Sequence, residues 1–160
     1  MPRIIARNEK ETARFAAQFS KTLKGGEVIL LQGELGAGKT TFVWALARAL
    51  GIKTRVTSPT FVLMQVHRVA KSIWHSAKGK KKLRPTPYAL RYFVHVDAYR
   101  ARSAEELREI GLMDFVGRPD TVVLVEWGEK IKPLLRGQKY QVIKFVHGKQ
   151  QEERMIILQH

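Results

Sequence analysis

Near the start of the chain, apolar residues recur every three to four positions, which is the periodicity of a helix with one buried face. Asn8 followed by Glu11 has the form of a capping box, in which a polar side chain binds the first helical turn. The apolar recurrence continues to Leu23, and glycines follow at 25 and 26. This pattern predicts a first helix from about Glu9 to Lys24.

Two short runs of consecutive apolar residues indicate a different element. Val28–Leu31 and Thr121–Val125 are too short to be helices with one polar face. Such runs are typical of strands that are buried on both sides in a parallel sheet. We therefore predict that both runs are strands inside a sheet that helices cover.

The rest of the chain alternates between strand and helix patterns. Helices are predicted at Lys39–Leu50, with Gly51 as a C-terminal cap, and at Ala104–Ile110 after the Ser103/Glu106 capping form. Strands are predicted at Phe61–His67, Tyr92–Tyr99, Tyr140–Val146 and Arg154–Leu158, the last two as a closing hairpin. The alternation predicts a single three-layer α/β domain over residues 1–160, with a mostly parallel sheet between helices.

Residues 33–40 read GELGAGKT and match the phosphate-binding pattern G-x-x-x-x-G-K-[ST]. The glycines allow the backbone to approach an anion closely, so that successive amide groups face phosphate oxygens. Lys39 is expected to reach the β- and γ-phosphates, Thr40 to bind Mg²⁺ and Thr41 to add a phosphate contact. The motif follows a buried strand and opens a helix, so it predicts a P-loop domain that binds ATP and Mg²⁺.

Acidic and aromatic residues near two predicted strand ends are candidates for the same site. Glu126 directly follows the run that ends at Val125, and ligands bind beyond the carboxyl ends of parallel strands. This position favours a metal-binding acid over a surface carboxylate. Asp97 fits an active-site edge and a solvated strand face equally well. Trp127 fits the rim of the site, although core packing is the more frequent use of such a residue.

Histidines and cysteines offer no further chemistry. The five histidines lack metal-ligand spacing, so structural or surface roles are favoured for all of them, His95 included. The absence of cysteine excludes disulfides, thiolate zinc sites and cysteine nucleophiles. No apolar run approaches the roughly 20 residues that span a bilayer, and we expect a cytoplasmic protein without membrane contact.

The formal net charge of +15 is concentrated in one part of the chain. No Asp or Glu occurs between Leu35 and Val96, and within this stretch Arg68–Leu90 resembles an inserted basic segment. Its composition predicts a mobile loop or a long hairpin. A basic surface attracts polyanions, so the segment is a candidate for tRNA contact, with a simple solubility role as the alternative.

Five segments, in order, resemble the TsaE (YjeE) family, the ATPase component of bacterial threonylcarbamoyladenosine synthesis in tRNA. They read GELGAGKTTF, TSPTF, HVDAYR, EELREIGLMDF and LVEWGEK. The resemblance runs from about Asn8 to Lys130 and is more specific than the phosphate loop alone. The chain departs from the family in its basic insertion at about 68–90, which is longer and more basic than the usual connection.

The resemblance implies roles for individual residues. The implied catalytic residues are Lys39, Asp97 and Glu126, and the implied metal-binding residues are Thr40, Glu126 and Asp97. The implied nucleotide contacts are Asn8, Thr12, Gly33, Gly36, Ala37, Gly38, Lys39, Thr40, Thr41 and Trp127. Asn8 and Thr12 would lie near the adenine, and Thr57–Phe61 would form a switch-like segment that senses the nucleotide.

The resemblance also implies partners. These are the threonylcarbamoyl transferase subunit and its paralogous partner subunit, of the TsaD and TsaB type, together with tRNA. ATP turnover is expected to be slow until the two proteins dock. Two other functions fit the motif: a small-molecule P-loop kinase, and a nucleotide-dependent binding module without catalysis.

Overall fold

A seven-stranded sheet forms the middle of the fold. The structure, a computed structural model, describes residues 2–53, 63–69 and 90–159. The strands are β1 (Arg3–Ala6), β2 (Val28–Gln32), β3 (Met64–Arg68), β4 (Tyr92–Asp97), β5 (Thr121–Glu126), β6 (Gln141–His147) and β7 (Arg154–Gln159). The helices are α1 (Glu9–Ser20), α2 (Lys39–Ala49) and α3 (Ala104–Glu109), with 3-10 helices at Leu112–Asp114 and Gly128–Leu135.

The strand order is β1-β7-β6-β2-β5-β4-β3. The central strands β6, β2, β5 and β4 are parallel to one another, whereas β3 and β7 run antiparallel to the strands beside them. This topology confirms the predicted mostly parallel α/β sheet. The closing hairpin of β6 and β7 is also present, and it extends the main sheet because β6 pairs directly with β2.

Apolar residues cover both faces of the sheet and confirm the three layers. On one face, Phe15 and Phe19 of α1 pack on Phe42 of α2, and Phe42 packs on Phe145 of β6. On the other face, α3 and the 3-10 helices bury Leu107, Leu112 and Ile131. Every residue of β5 is buried, as its continuous apolar run predicts.

Both predicted helix caps are present. Asn8 Oδ1 accepts a hydrogen bond from the Glu11 amide at 3.0 Å, and Ser103 Oγ accepts one from the Glu106 amide at 3.3 Å. In each case the glutamate carboxylate accepts from the residue before the cap, Arg7 or Arg102, instead of from the cap itself.

One helix and one strand end earlier than the sequence pattern predicted. Helix α1 ends at Ser20 and not at Lys24, because the Thr22 amide and hydroxyl both donate to the Phe19 carbonyl and tighten the last turn. Strand β4 ends at Asp97 and not at Tyr99, because Asp97 Oδ1 accepts from the Tyr99 amide and turns the chain.

The basic insertion leaves and re-enters the sheet at neighbouring strands. Arg68 lies in β3 opposite Tyr92, and the Val69 amide donates to the Arg91 carbonyl at 2.9 Å. Residues 54–62 and 70–89 lie outside the described part. The first of these ranges contains Phe61 of the predicted strand and the switch-like Thr57–Phe61, which stays a prediction. Within the described ranges, no helix combines the length and apolar composition needed to cross a membrane.

Candidate active site

The phosphate loop connects the end of β2 to the start of α2. Gly33, Gly36 and Gly38 have φ angles of 141°, 74° and 96°, a region that side chains disfavour. A Cβ on Gly33 would lie 2.4 Å from the Phe145 carbonyl oxygen, so the loop is seated closely on β6. Helix α2 begins at Lys39 and directs its first amide groups toward the loop.

A cleft of about 330 Å³ opens beside this loop. Gly36, Gly38, Lys39, Thr40 and Thr41 line it from the loop and α2, and Asp97, Glu126 and Trp127 line it from the ends of β4 and β5. The parallel pairing of Asp97 with Glu126 brings both carboxylates to the same edge of the sheet. The structure thus joins the three sequence segments that were predicted to form one site.

Lys39 lies under the loop and is only 4% exposed. Its Nζ donates to the carbonyls of Gly33 and Glu34 at 2.7 and 2.8 Å and lies 4.0 Å from the centroid of the Trp127 ring. Burial lowers the pKa of the Lys39 ammonium, and the carboxylates of Glu126, Glu129 and Asp97 oppose this shift. The Lys39 ammonium therefore lies in a buried site that three carboxylates surround.

Glu126 is buried at the end of β5, and both of its carboxylate oxygens have partners. The Thr40 hydroxyl donates to Oε2 at 2.8 Å, and His95 Nε2 lies 2.9 Å from Oε1. Oxygen ligands are what Mg²⁺ prefers, and Thr40 and Glu126 are close enough to share one ion. Among the described residues, no group of three His, Cys, Asp or Glu side chains could hold a metal alone. A magnesium ion here would therefore need phosphate or water ligands as well.

The segment after Glu126 builds the opposite wall of the cleft. Trp127 adopts a left-handed backbone conformation (φ 58°), and its ring packs on Tyr99 with the centroids 5.0 Å apart. Lys130 Nζ donates to the Tyr99 and Ala101 carbonyls at 2.6 and 3.1 Å. Gly128 lies directly against β2, where a Cβ would come within 2.5 Å of the Leu30 Cβ. Lys130 was not predicted as a site residue, although it lies in the quoted LVEWGEK segment.

The C-terminal hairpin supports the loop from the other side. Arg154 at the start of β7 donates from Nη2 to the Gly36 carbonyl at 3.1 Å and packs within 4 Å of where a Gly38 Cβ would lie. Sequence reasoning could not settle the role of Arg154, since the contact depends on the pairing of β7 with β6. Asn8 and Thr12, by contrast, lie outside the lining of the cleft: Asn8 caps α1 and Thr12 is buried.

Other predicted residues have supporting positions. Gly33 and Ala37 do not line the cleft: Gly33 accepts the bond from Lys39, and Ala37 is buried in the core. His95, for which a structural or surface role was favoured, is fully buried and contacts Glu126. The spacing of histidines along the chain could not reveal that contact, because it depends on the alignment of β4 with β5.

Comparisons with known proteins agree with this geometry. A family model described as "Threonylcarbamoyl adenosine biosynthesis protein TsaE" matches residues 6–77 and 84–156. Proteins named "tRNA threonylcarbamoyladenosine biosynthesis protein TsaE" are similar to this chain. The one from Treponema pallidum is 34% identical over 129 residues, covering 81% of this chain and 80% of its own. The one from Aquifex aeolicus is 36% identical over 132 residues, covering 81% and 79%.

A solved structure resembles the fold. The crystal structure of Bacillus subtilis YdiB superposes with a TM-score of 0.62 at 27% sequence identity. The match covers 97% of this chain and 82% of that one.

Proposed function

The chain belongs to the TsaE family, and from that premise we propose that it is a Mg²⁺-dependent ATPase that serves threonylcarbamoyladenosine formation in tRNA. The observation that carries this proposal is the convergence of a glycine-bent phosphate loop, the Lys39 ammonium and the Thr40–Glu126 pair on one cleft. The names of the relatives support the pathway in this proposal, and the geometry of the cleft supports the reaction.

Nucleotide binding is assigned to the loop and the start of α2. Amide groups of residues 36–41 surround the β- and γ-phosphates, and the N-terminal dipole of α2 favours the anion. Lys39 exchanges its two carbonyl partners for phosphate oxygens.

Metal binding and hydrolysis are assigned to the edge formed by β4, β5 and α2. Thr40 and Glu126 would hold Mg²⁺, and Asp97 would organise either the metal or the attacking water. When bound, Mg²⁺ neutralises charge that develops on the phosphate oxygens. Trp127 and Tyr99 shield one side of the cleft with rings that pack at a tilt of 41°.

Apolar residues at the mouth of the cleft are consistent with a partner that covers it. Leu35 is 73% exposed on the loop, and Tyr99 is 49% exposed across from it. Exposed apolar side chains beside a functional cleft often mark a protein contact. We assign this rim to the transferase subunits of the TsaD and TsaB type, whose docking would exclude water and raise the slow basal rate.

The decisive experiment is an ATPase assay with and without the cognate transferase pair and tRNA. We expect Mg²⁺-dependent hydrolysis that the partners stimulate. Asp97→Ala and Glu126→Ala should each lower the stimulated rate by about 100-fold while nucleotide binding remains measurable. Glu152→Ala, which removes an exposed carboxylate outside the cleft, is the matched control.

Two results would overturn the proposal. Absence of hydrolysis in the complete mixture would favour a nucleotide-dependent binding module. Transfer of the γ-phosphate to a small metabolite would favour a kinase.

A further inference from the structure

His95 is a fully buried polar residue for which the proposed hydrolysis has no stated use. It lies on β4, with Gln65 of β3 directly opposite and Leu124 of β5 on its other side. Burying an imidazole in such surroundings is unfavourable unless the ring gains a hydrogen bond. An apolar residue of similar size would fill the same space without that penalty.

The ring makes one hydrogen bond within the described part of the chain, and it is to Glu126. His95 Nε2 lies 2.9 Å from Glu126 Oε1, and because a carboxylate oxygen only accepts, the proton lies on Nε2. The other ring nitrogen, Nδ1, is buried and has no hydrogen-bond partner among the described residues. The ring is therefore oriented by its contact with Glu126 and not by a second polar group on the β3 side.

The two oxygens of Glu126 are divided between two functions. Oε2 accepts from the Thr40 hydroxyl at 2.8 Å, while Oε1 is held from behind by His95. Rotation of the carboxylate about its last bond would break both contacts. A ring fixed in the sheet thus sets the direction in which Oε2 faces the phosphate loop.

We propose that His95 is a positioning residue that holds the Glu126 carboxylate in the orientation needed to bind Mg²⁺ together with Thr40. This inference rests on the proposed function, because it assigns His95 a role in the same metal site. Hydrogen bonds behind metal-binding carboxylates orient them, and removing such a bond typically costs about 10–100-fold in metal affinity or activity.

Two amide substitutions separate orientation from packing. In His95→Gln, the side-chain amide nitrogen can occupy roughly the place of Nε2 and still donate to Glu126. In His95→Asn, the side chain is shorter, so its amide nitrogen lies near the place of Nδ1 and cannot reach Glu126. Because Gln also fills more of the space of the ring than Asn does, a role in packing alone predicts a lower thermal stability of His95→Asn with an unchanged Mg²⁺ requirement.

The measurements are thermal unfolding, ADP affinity without Mg²⁺, and the Mg²⁺ concentration that gives half-maximal hydrolysis with the partners present. We expect His95→Asn to raise that Mg²⁺ concentration by about 10-fold or more, while ADP affinity without Mg²⁺ changes by less than about 3-fold. His95→Gln should recover most of the loss. An unchanged Mg²⁺ requirement in folded His95→Asn, or equal losses in both variants, would overturn the inference.

A measurement on the unsubstituted protein covers the case in which His95→Asn does not fold. The ¹⁵N resonances of the His95 ring report which nitrogen carries the proton. We expect a protonated Nε2 whose resonance shifts when Mg²⁺ is added to the ADP-bound protein; an unprotonated Nε2, or no shift, would contradict the proposal. If the unsubstituted protein shows no Mg²⁺-dependent hydrolysis, the proposed function itself is refuted. If hydrolysis is normal but substitution of His95 leaves the Mg²⁺ requirement unchanged, only this inference is refuted.

Discussion

At the residue scale, Lys39 illustrates how one buried cation can serve two sets of acceptors. Its ammonium binds two loop carbonyls and lies over the Trp127 ring. The motif predicted the residue and its phosphate role, but not these partners. They follow from the backbone path of the loop, which sequence spacing does not describe.

Lys39→Ala should lower ATP affinity by about 10–100-fold, because a charge-assisted hydrogen bond contributes about 1.5–3 kcal/mol. Isothermal titration with a non-hydrolysable ATP analogue measures this change. Lys144→Ala is the matched control, since Lys144 is an exposed lysine of β6 outside the cleft. Equal affinities for the two variants would show that the loop does not bind phosphate.

Gly33 supports a second residue-scale prediction. Gly33→Ala should lower the free energy of unfolding by about 3 kcal/mol, because the new Cβ would meet the Phe145 carbonyl at 2.4 Å in a backbone region already strained for alanine. Gly137→Ala, at φ 81° with no atom within 4 Å, should cost only about 1 kcal/mol. Urea unfolding compares them, and similar losses would show that the loop is not held against β6.

At the element scale, short sequence patterns predicted those elements whose signal lies within a few consecutive residues. The caps at Asn8 and Ser103, the buried run of β5 and the loop before α2 are all visible in short windows of sequence. Strand β1 was not predicted, because its four residues form a strand only through pairing with β7. The 3-10 helix Gly128–Leu135 was also missed, since Pro133 interrupts any helical pattern.

Asn8 allows helix capping to be separated from the nucleotide contact that family resemblance implies. Asn8→Ala should destabilise the protein by about 1 kcal/mol, whereas Asn8→Ser should retain most of the cap. If Asn8 also contacts adenine, Asn8→Ser should weaken ATP binding at nearly unchanged stability. Thermal unfolding and titration of both variants measure the two effects. Loss of stability in Asn8→Ser as large as in Asn8→Ala would contradict the capping role.

At the scale of the whole molecule, the basic insertion is attached so that its removal need not disturb the sheet. The Val69–Arg91 hydrogen bond places its two ends side by side. Replacing residues 71–89 by Asn-Gly, a favoured hairpin turn, should therefore leave the free energy of unfolding within about 1 kcal/mol. Circular dichroism during urea unfolding tests this, and a much larger loss would place the segment within the core of the fold.

The same replacement tests the hypothesis that the insertion contacts tRNA phosphates. It removes six of the Lys and Arg residues, at 71, 78, 80, 81, 82 and 84. The slope of log affinity for tRNA against log salt should fall by up to about 4. A full-length variant with Gln at these six positions is the control, because it removes charge and keeps length. Unchanged affinity and slope in both would reject the hypothesis.

The pairing of β1 with β7 has a consequence for the order in which the protein can be made. Nearly the whole described chain separates the two strands, yet β1 pairs with β7, and Arg154 of β7 holds the phosphate loop. During synthesis on the ribosome, the first strand must wait for residues 154–159 to emerge before it gains its neighbour. A nascent chain that ends before Arg154 would thus carry the whole GELGAGKT motif without the hydrogen bond from Arg154 to Gly36. We expect such truncated chains to bind nucleotide poorly.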